Sequence, residues 1–128
     1  MLRMSRNRLL AGILFGCAGF AVNYFKLDLF YDFSLLFGSC LTLFAYLRYG
    51  ARTGFVATLI ASTCTCLHWN HPWALLINIL EFTSIVLLCN RRNWNLISGA
   101  VIYWCTVGPL LVWLTYGGIM GFSGAAVL

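Results

Sequence analysis

Charge is scarce in this chain. Asp and Glu number 3 and Lys and Arg 8 among 128 residues, 9% in all, where soluble domains carry about 25%. Proline is scarcer still, at 2 residues, and no low-complexity segment, linker or long polar loop interrupts the sequence. A soluble domain needs a charged surface, so that class is excluded. The basic residues form no dense cluster, which excludes nucleic acid as a partner. No loop is long enough to hold a separate extracellular domain. Convergent acid, base and nucleophile groups are also lacking: Glu81 is the one carboxylate inside an apolar run, with no second one near it. Enzymatic chemistry is therefore not expected, and no motif asks for a cofactor.

What is present is hydrocarbon. Apolar residues make up 62% of the chain and mean hydropathy is +0.88. The apolar runs are residues 9–25, 33–47, 54–67, 73–89 and 96–116. Most approach the roughly 17–25 residues that cross about 30 Å of hydrocarbon as a helix. The second and third are short and must borrow flanking residues or thin the bilayer. A further run begins at Ile119 and breaks off at residue 128. The expected fold is all-α: a polytopic helical membrane bundle of five spans plus the start of a sixth, one integral membrane domain over residues 1–128, interrupted before or within its sixth helix. The lipid bilayer is its first partner.

Orientation follows from the arginines. Arg3, Arg6 and Arg8 precede the first run, Arg48 and Arg52 lie between the second and third, and Arg91 and Arg92 between the fourth and fifth. The alternate loops hold only Lys26, beside Asp28 and Asp32. The positive-inside rule places the N-terminus in the cytoplasm, with residues 26–32 and 68–72 outside. A basic start followed by an apolar run is also the mark of a secretory signal, but four more runs follow, and a retained first helix accounts for them. The expected location is the cell's inner (plasma) membrane, multi-pass.

Six cysteines, Cys17, Cys40, Cys64, Cys66, Cys89 and Cys105, lie in or at the ends of apolar runs without Cys-x-x-Cys spacing, where free thiols pack as small hydrophobes. "CTCLHWNH" offers a metal alternative: Cys64, His68 and His71 share a face if a helix continues through them. Asn70 and Pro72 argue that the helix stops before His71, so no metal is assigned. Gly12 and Gly16, extended by Gly19, and later Gly117 and Gly121, make small-xxx-small steps that bring helices close in lipid and would also suit a homodimer.

Glu81 stands apart. A charged carboxylate at the centre of a span costs roughly 2.5–3.5 kcal/mol on insertion scales, which argues that it faces the bundle interior. Asn78 lies one turn earlier on the same face, and His71 is nearly in register seven positions before that. Tyr103 and Trp104, deeper in the fifth run, are suited to closing a cavity around a small apolar or amphipathic ligand. Pro109 should kink that helix beside them. The alternative role for Glu81 is a structural clamp bonded to a neighbouring helix.

The stretch "HPWALLINILEFTSIVLLCNRRNWNLISGAVIYWCTVGPLLVWLTY" resembles the N-terminal multi-span sensor regions of bacterial signalling proteins that precede diguanylate cyclase, phosphodiesterase or histidine kinase modules. The bundle is also similar to the substrate-binding subunits of energy-coupling-factor transporters. The sensor resemblance implies that His71, Glu81, Tyr103 and Trp104 occupy recurring positions. It also implies a cytoplasmic signalling domain C-terminal to this chain. The function expected is a sensory module for a small ligand or a proton, binding through Glu81, Asn78, His71, Tyr103 and Trp104. A substrate-binding subunit of an uptake transporter is the alternative.

Overall fold

A computed structural model of the chain describes residues 5–25, 27–28, 34–35, 37–70, 72–119 and 121. The fold is all-helical but for a two-residue antiparallel ladder that pairs Leu27 with Leu35 and Asp28 with Ser34. Helix α1 spans Arg6–Tyr24, α2 Gly38–Tyr49, α3 Ala51–Trp69 and α4 Trp73–Arg92. Helix α5 spans Leu96–Cys105 and α6 Val107–Val112, which runs on as a π-helical stretch over Trp113–Ile119.

The helix stops have local chemical causes. Gly50 alone separates α2 from α3, at φ 95° and ψ 172°, a conformation essentially reserved for glycine. Asn70 and Asn93 end α3 and α4 with φ 53° each, the left-handed position that Asn tolerates best among residues with a Cβ. Helix α3 thus stops short of residue 71. Asn95 caps α5 by accepting the Ser98 N–H at 2.7 Å.

Pro109 acts one turn ahead of itself. Its ring meets the carbonyl four residues back and it has no N–H to donate there. The break accordingly falls at Thr106, φ −128° and ψ −77°, and the two pieces are bent by 41°. Thr106 donates its hydroxyl to the Ile102 carbonyl at 2.6 Å, which satisfies one acceptor left by the break. Pro109→Ala should straighten this segment. Spin labels on the exposed positions 97 and 114 are expected to move apart, and an unchanged separation would assign the bend to packing instead.

The chain divides into two compact units, residues 1–82 and 83–128, with the boundary inside α4. In the first, α1, α2 and α3 pack pairwise. Glycine permits the closest approach: a Cβ on Gly16 would lie 2.7 Å from the Ile60 Cβ, and one on Gly19 2.9 Å from the Ala61 Cβ. Phe82 brings α4 onto this trio, with its ring edge-on to Tyr46 at 6.1 Å, 6.3 Å from Phe55, and seated over Gly54. In the second unit Gly99 of α5 lies against Ile85 of α4.

Polarity is inverted relative to a soluble domain. Leu14, Leu47, Leu67, Ile97 and Leu110 are exposed, while Asn23, Thr42, Thr53, Thr58, Ser62, Thr65, Glu81 and Thr115 are buried. Water would drive the opposite arrangement. In lipid, small and polar residues make the helix contacts and large apolar ones face outward.

Among the described residues, one helix is long and apolar enough to cross a membrane by itself, Trp73–Arg92; Leu96–Cys105 with Val107–Ile119 passes as a bent pair. The five spans expected from the sequence are therefore visible in the helices only as one or two. Helix α1 starts on Arg6 and Arg8 and holds Asn23 in its last turn. Helix α2 has 12 residues, about 18 Å at 1.5 Å per residue. Helix α3 carries Arg52 and the hydroxyls of Thr53, Thr58, Ser62, Thr63 and Thr65. Each loses apolar length to residues that a bilayer tolerates only inside a bundle or at its edge.

Candidate functional site

Seven polar side chains of the first unit converge on one point. Asn23 from α1, Ser39 and Thr42 from α2, Thr58 and Ser62 from α3, and Asn78 and Glu81 from α4 line a cavity closed by Leu43, Ala61 and Phe82. Its volume is about 10 Å³, close to what a single water molecule needs. Glu81 is 6% exposed and accepts the Ser39 hydroxyl on Oε2 at 3.2 Å.

Each wall is fixed by local chemistry. Asn23 Oδ1 accepts the Gly38 N–H at 2.7 Å, and its Nδ2 donates to the Ala61 carbonyl at 3.3 Å. One amide thus ties α1 to the start of α2 and the middle of α3, and it satisfies an N–H that the first turn of α2 leaves open. Thr42 donates to the Ser39 carbonyl at 3.0 Å and Thr58 to the Gly54 carbonyl at 2.9 Å. Such back-bonding lets a hydroxyl sit in a buried helix face with its hydrogen satisfied.

Of the residues singled out in the sequence, Glu81 and Asn78 share this cavity. Tyr103 and Trp104 belong to the second unit. Tyr103 is 1% exposed and Trp104 44% exposed, and their rings meet edge to face at 5.5 Å. Trp104 covers Gly108, where a Cβ would lie 2.7 Å from its ring, so it packs along its own helix across the break. His71 lies outside the described residues.

Asn23, Ser39, Thr42, Thr58 and Ser62 were not anticipated. Asn23 sits near the end of an apolar run and so reads as a boundary residue, while Ser39, inside the second run, is one small hydroxyl among apolar neighbours. Thr58, Ser62 and Thr65 did carry a signal, since i, i+4 and i+7 form one helix face.

The metal alternative turns in part on His71, outside the described residues. Among the described residues no three His, Cys, Asp or Glu side chains gather. Cys64 is buried within α3, and the half-buried His68 ring stacks on Tyr24 at 5.9 Å. All six cysteines are free. The second unit holds a broader, shallow groove of about 420 Å³ lined by Asn93, Trp94, Asn95, Ser98 and Ile102, with no titratable side chain in it. No family model, no curated protein and no solved structure matches the chain.

Proposed function

We propose that the chain is the membrane-embedded sensory module of a bacterial signal-transduction protein. In this reading it crosses the inner membrane five times and begins a sixth span, and Glu81 is its sensing group. The observation that carries it is the buried carboxylate in a small polar cavity, inside helices whose outer faces are apolar. An ionisable residue at such depth is by default functional, because its cost must be offset by something selection keeps.

Depth and size refine the reading. Glu81 lies eight residues from the start of α4 and Ser62 seven from the end of α3, about 12 and 10 Å along the axes. With Arg48, Arg52, Arg91 and Arg92 on the cytoplasmic side, the cavity sits in the outer half of the membrane, where an external signal would arrive. A drug-sized ligand occupies about 300–1,000 Å³. The cavity, at about 10 Å³, suits a proton or a single small species, which weighs against an uptake subunit that must enclose an organic substrate.

Two measurements test this. Single cysteines placed at positions 50, 70 and 93 of a Cys-free variant are to be labelled with an impermeant maleimide in intact cells. Position 70 is expected to react, and 50 and 93 only after permeabilisation; external labelling of position 93 overturns the orientation. The coding sequence past residue 128 should continue through a sixth helix into a cytoplasmic signalling domain. An immediate stop, beside genes for an energy-coupling module, would favour the uptake alternative.

A further inference from the structure

Residues 83–128 carry two charged side chains, Arg91 and Arg92, and no Asp, Glu, Lys or His. Both arginines are exposed and lie in the last turn of α4. All the charge of the second unit thus sits at one place, positive, with no acid in the unit to neutralise it. The groove of about 420 Å³ begins on the next three residues, Asn93, Trp94 and Asn95. Arg92 is held at its edge, with its guanidinium carbon 6.0 Å from the centre of the Trp94 ring. A guanidinium lying over a ring face keeps the N–H fork in its own plane for an oxyanion. Along α5 the groove changes character. Ser98 and Ile102, one helical turn apart, line it next, so it runs from a polar mouth at Asn95 to an apolar end about 10 Å away, at 1.5 Å per residue. On the adjoining helix face Ile97 and Val101 are exposed.

We propose that this groove binds one anionic phospholipid, with its phosphate beside Arg91 and Arg92 and the first carbons of one acyl chain along Ile102. The inference rests on the membrane-embedded part of the reading above, which puts the arginines on the cytoplasmic side, and it makes no use of Glu81. Basic pockets at that end of membrane helices take acidic lipid headgroups, and arginine matches a phosphate with two parallel hydrogen bonds. The apolar end decides between possible occupants. A soluble anion has no group to place there. An acidic segment of a cytoplasmic protein would pair with the arginines and leave Ile102 and its neighbours uncovered. A phospholipid has a charge for the mouth and a hydrocarbon chain for the track that follows it.

The test is native mass spectrometry of the purified chain in detergent, titrated with dioleoyl phosphatidylglycerol or dioleoyl phosphatidylcholine. The anionic lipid is expected to bind as one tight equivalent, about thirtyfold tighter than the zwitterionic one, at about fivefold for each arginine. Arg92→Gln should cut that preference about fivefold, and changing Arg91 to Gln as well should erase it. Ser98→Phe fills the groove with both charges intact and should lose the tight equivalent. Arg48→Gln is the matched control: its guanidinium also lies over a ring, that of Tyr49 at 5.6 Å, and the preference should survive its loss. Equal affinity for the two lipids overturns the proposal. So does a preference that outlasts Ser98→Phe, because the arginines then attract headgroups without the groove. Displacement by equimolar glycerol 3-phosphate would make it a site for free phosphate, and displacement by an oligoglutamate peptide a site for an acidic protein segment; either result overturns the lipid. External labelling of position 93 would reject the orientation and leave a lipid preference measured in micelles standing, so the two proposals fail separately.

Discussion

Gly38→Ala should destabilise the protein about as much as Asn23→Ala, and the double variant little more than either alone. A Cβ on Gly38 would overlap the Asn23 side-chain amide, whose bonds to Gly38 N–H and the Ala61 carbonyl join three helices. Adding the methyl expels the amide, and removing the amide strands the same two backbone groups. Each unsatisfied buried group costs roughly 1–3 kcal/mol, so either single change should cost about 2–4 kcal/mol. In the double variant the alanine at 38 meets the space that Asn23 vacated. A coupling energy near the full single-mutant value is expected from reversible unfolding in mixed micelles. Additive losses would mean that the two residues act independently.

Phe82→Ala is expected to lower stability by about 2–3 kcal/mol, and Phe82→Leu by less than half of that. The reasoning differs from that for a soluble core. Phe82 is buried against Tyr46, Phe55 and Gly54, but on the proposed membrane-embedded reading the alternative environment for its ring is lipid, so little transfer free energy is at stake. What remains is the cavity, at about 24 cal/mol per Å³ over the roughly 100 Å³ that separates the two side chains. Phe82 also sets the rotation of α4 at the residue next to Glu81. The alanine variant should therefore loosen the Ser39–Glu81 bond as well as the helix contact, visible as faster amide exchange at the start of α2. A loss of stability without faster exchange there would confine Phe82 to packing.

Two helix interruptions were legible because they depend on near neighbours: Asn70 and Pro72 end one helix and begin the next, and Pro109 breaks the helix at the carbonyl its ring displaces. The stop at Gly50 was not read from the sequence. Gly12, Gly16 and Gly19 announced a close helix contact through spacing alone, although the partner, α3, is nowhere encoded in that spacing. Glu81 announced itself by contrast, as a carboxylate in hydrocarbon, and Asn78 followed from one helical turn.

The number of spans was less legible. Hydropathy sums along a segment, and α1, α2 and α3 hold polar groups that only neighbouring helices can satisfy.

By itself, then, the sequence determined the helical class, the apolar exterior, the stop before residue 71, the break ahead of Pro109 and the identity of the buried carboxylate. All of these follow from local backbone preference or from composition. Tertiary structure alone decided what surrounds that carboxylate. Ser39 stands 42 residues from Glu81 in the chain and Asn23 38 residues from Ala61, and no periodicity relates positions that far apart. The same holds for Tyr103 and Trp104, which share the aromatic character expected of a pocket but lie in the other unit. A polar residue in a membrane helix declares that it needs a partner, and the packing of helices chooses which one.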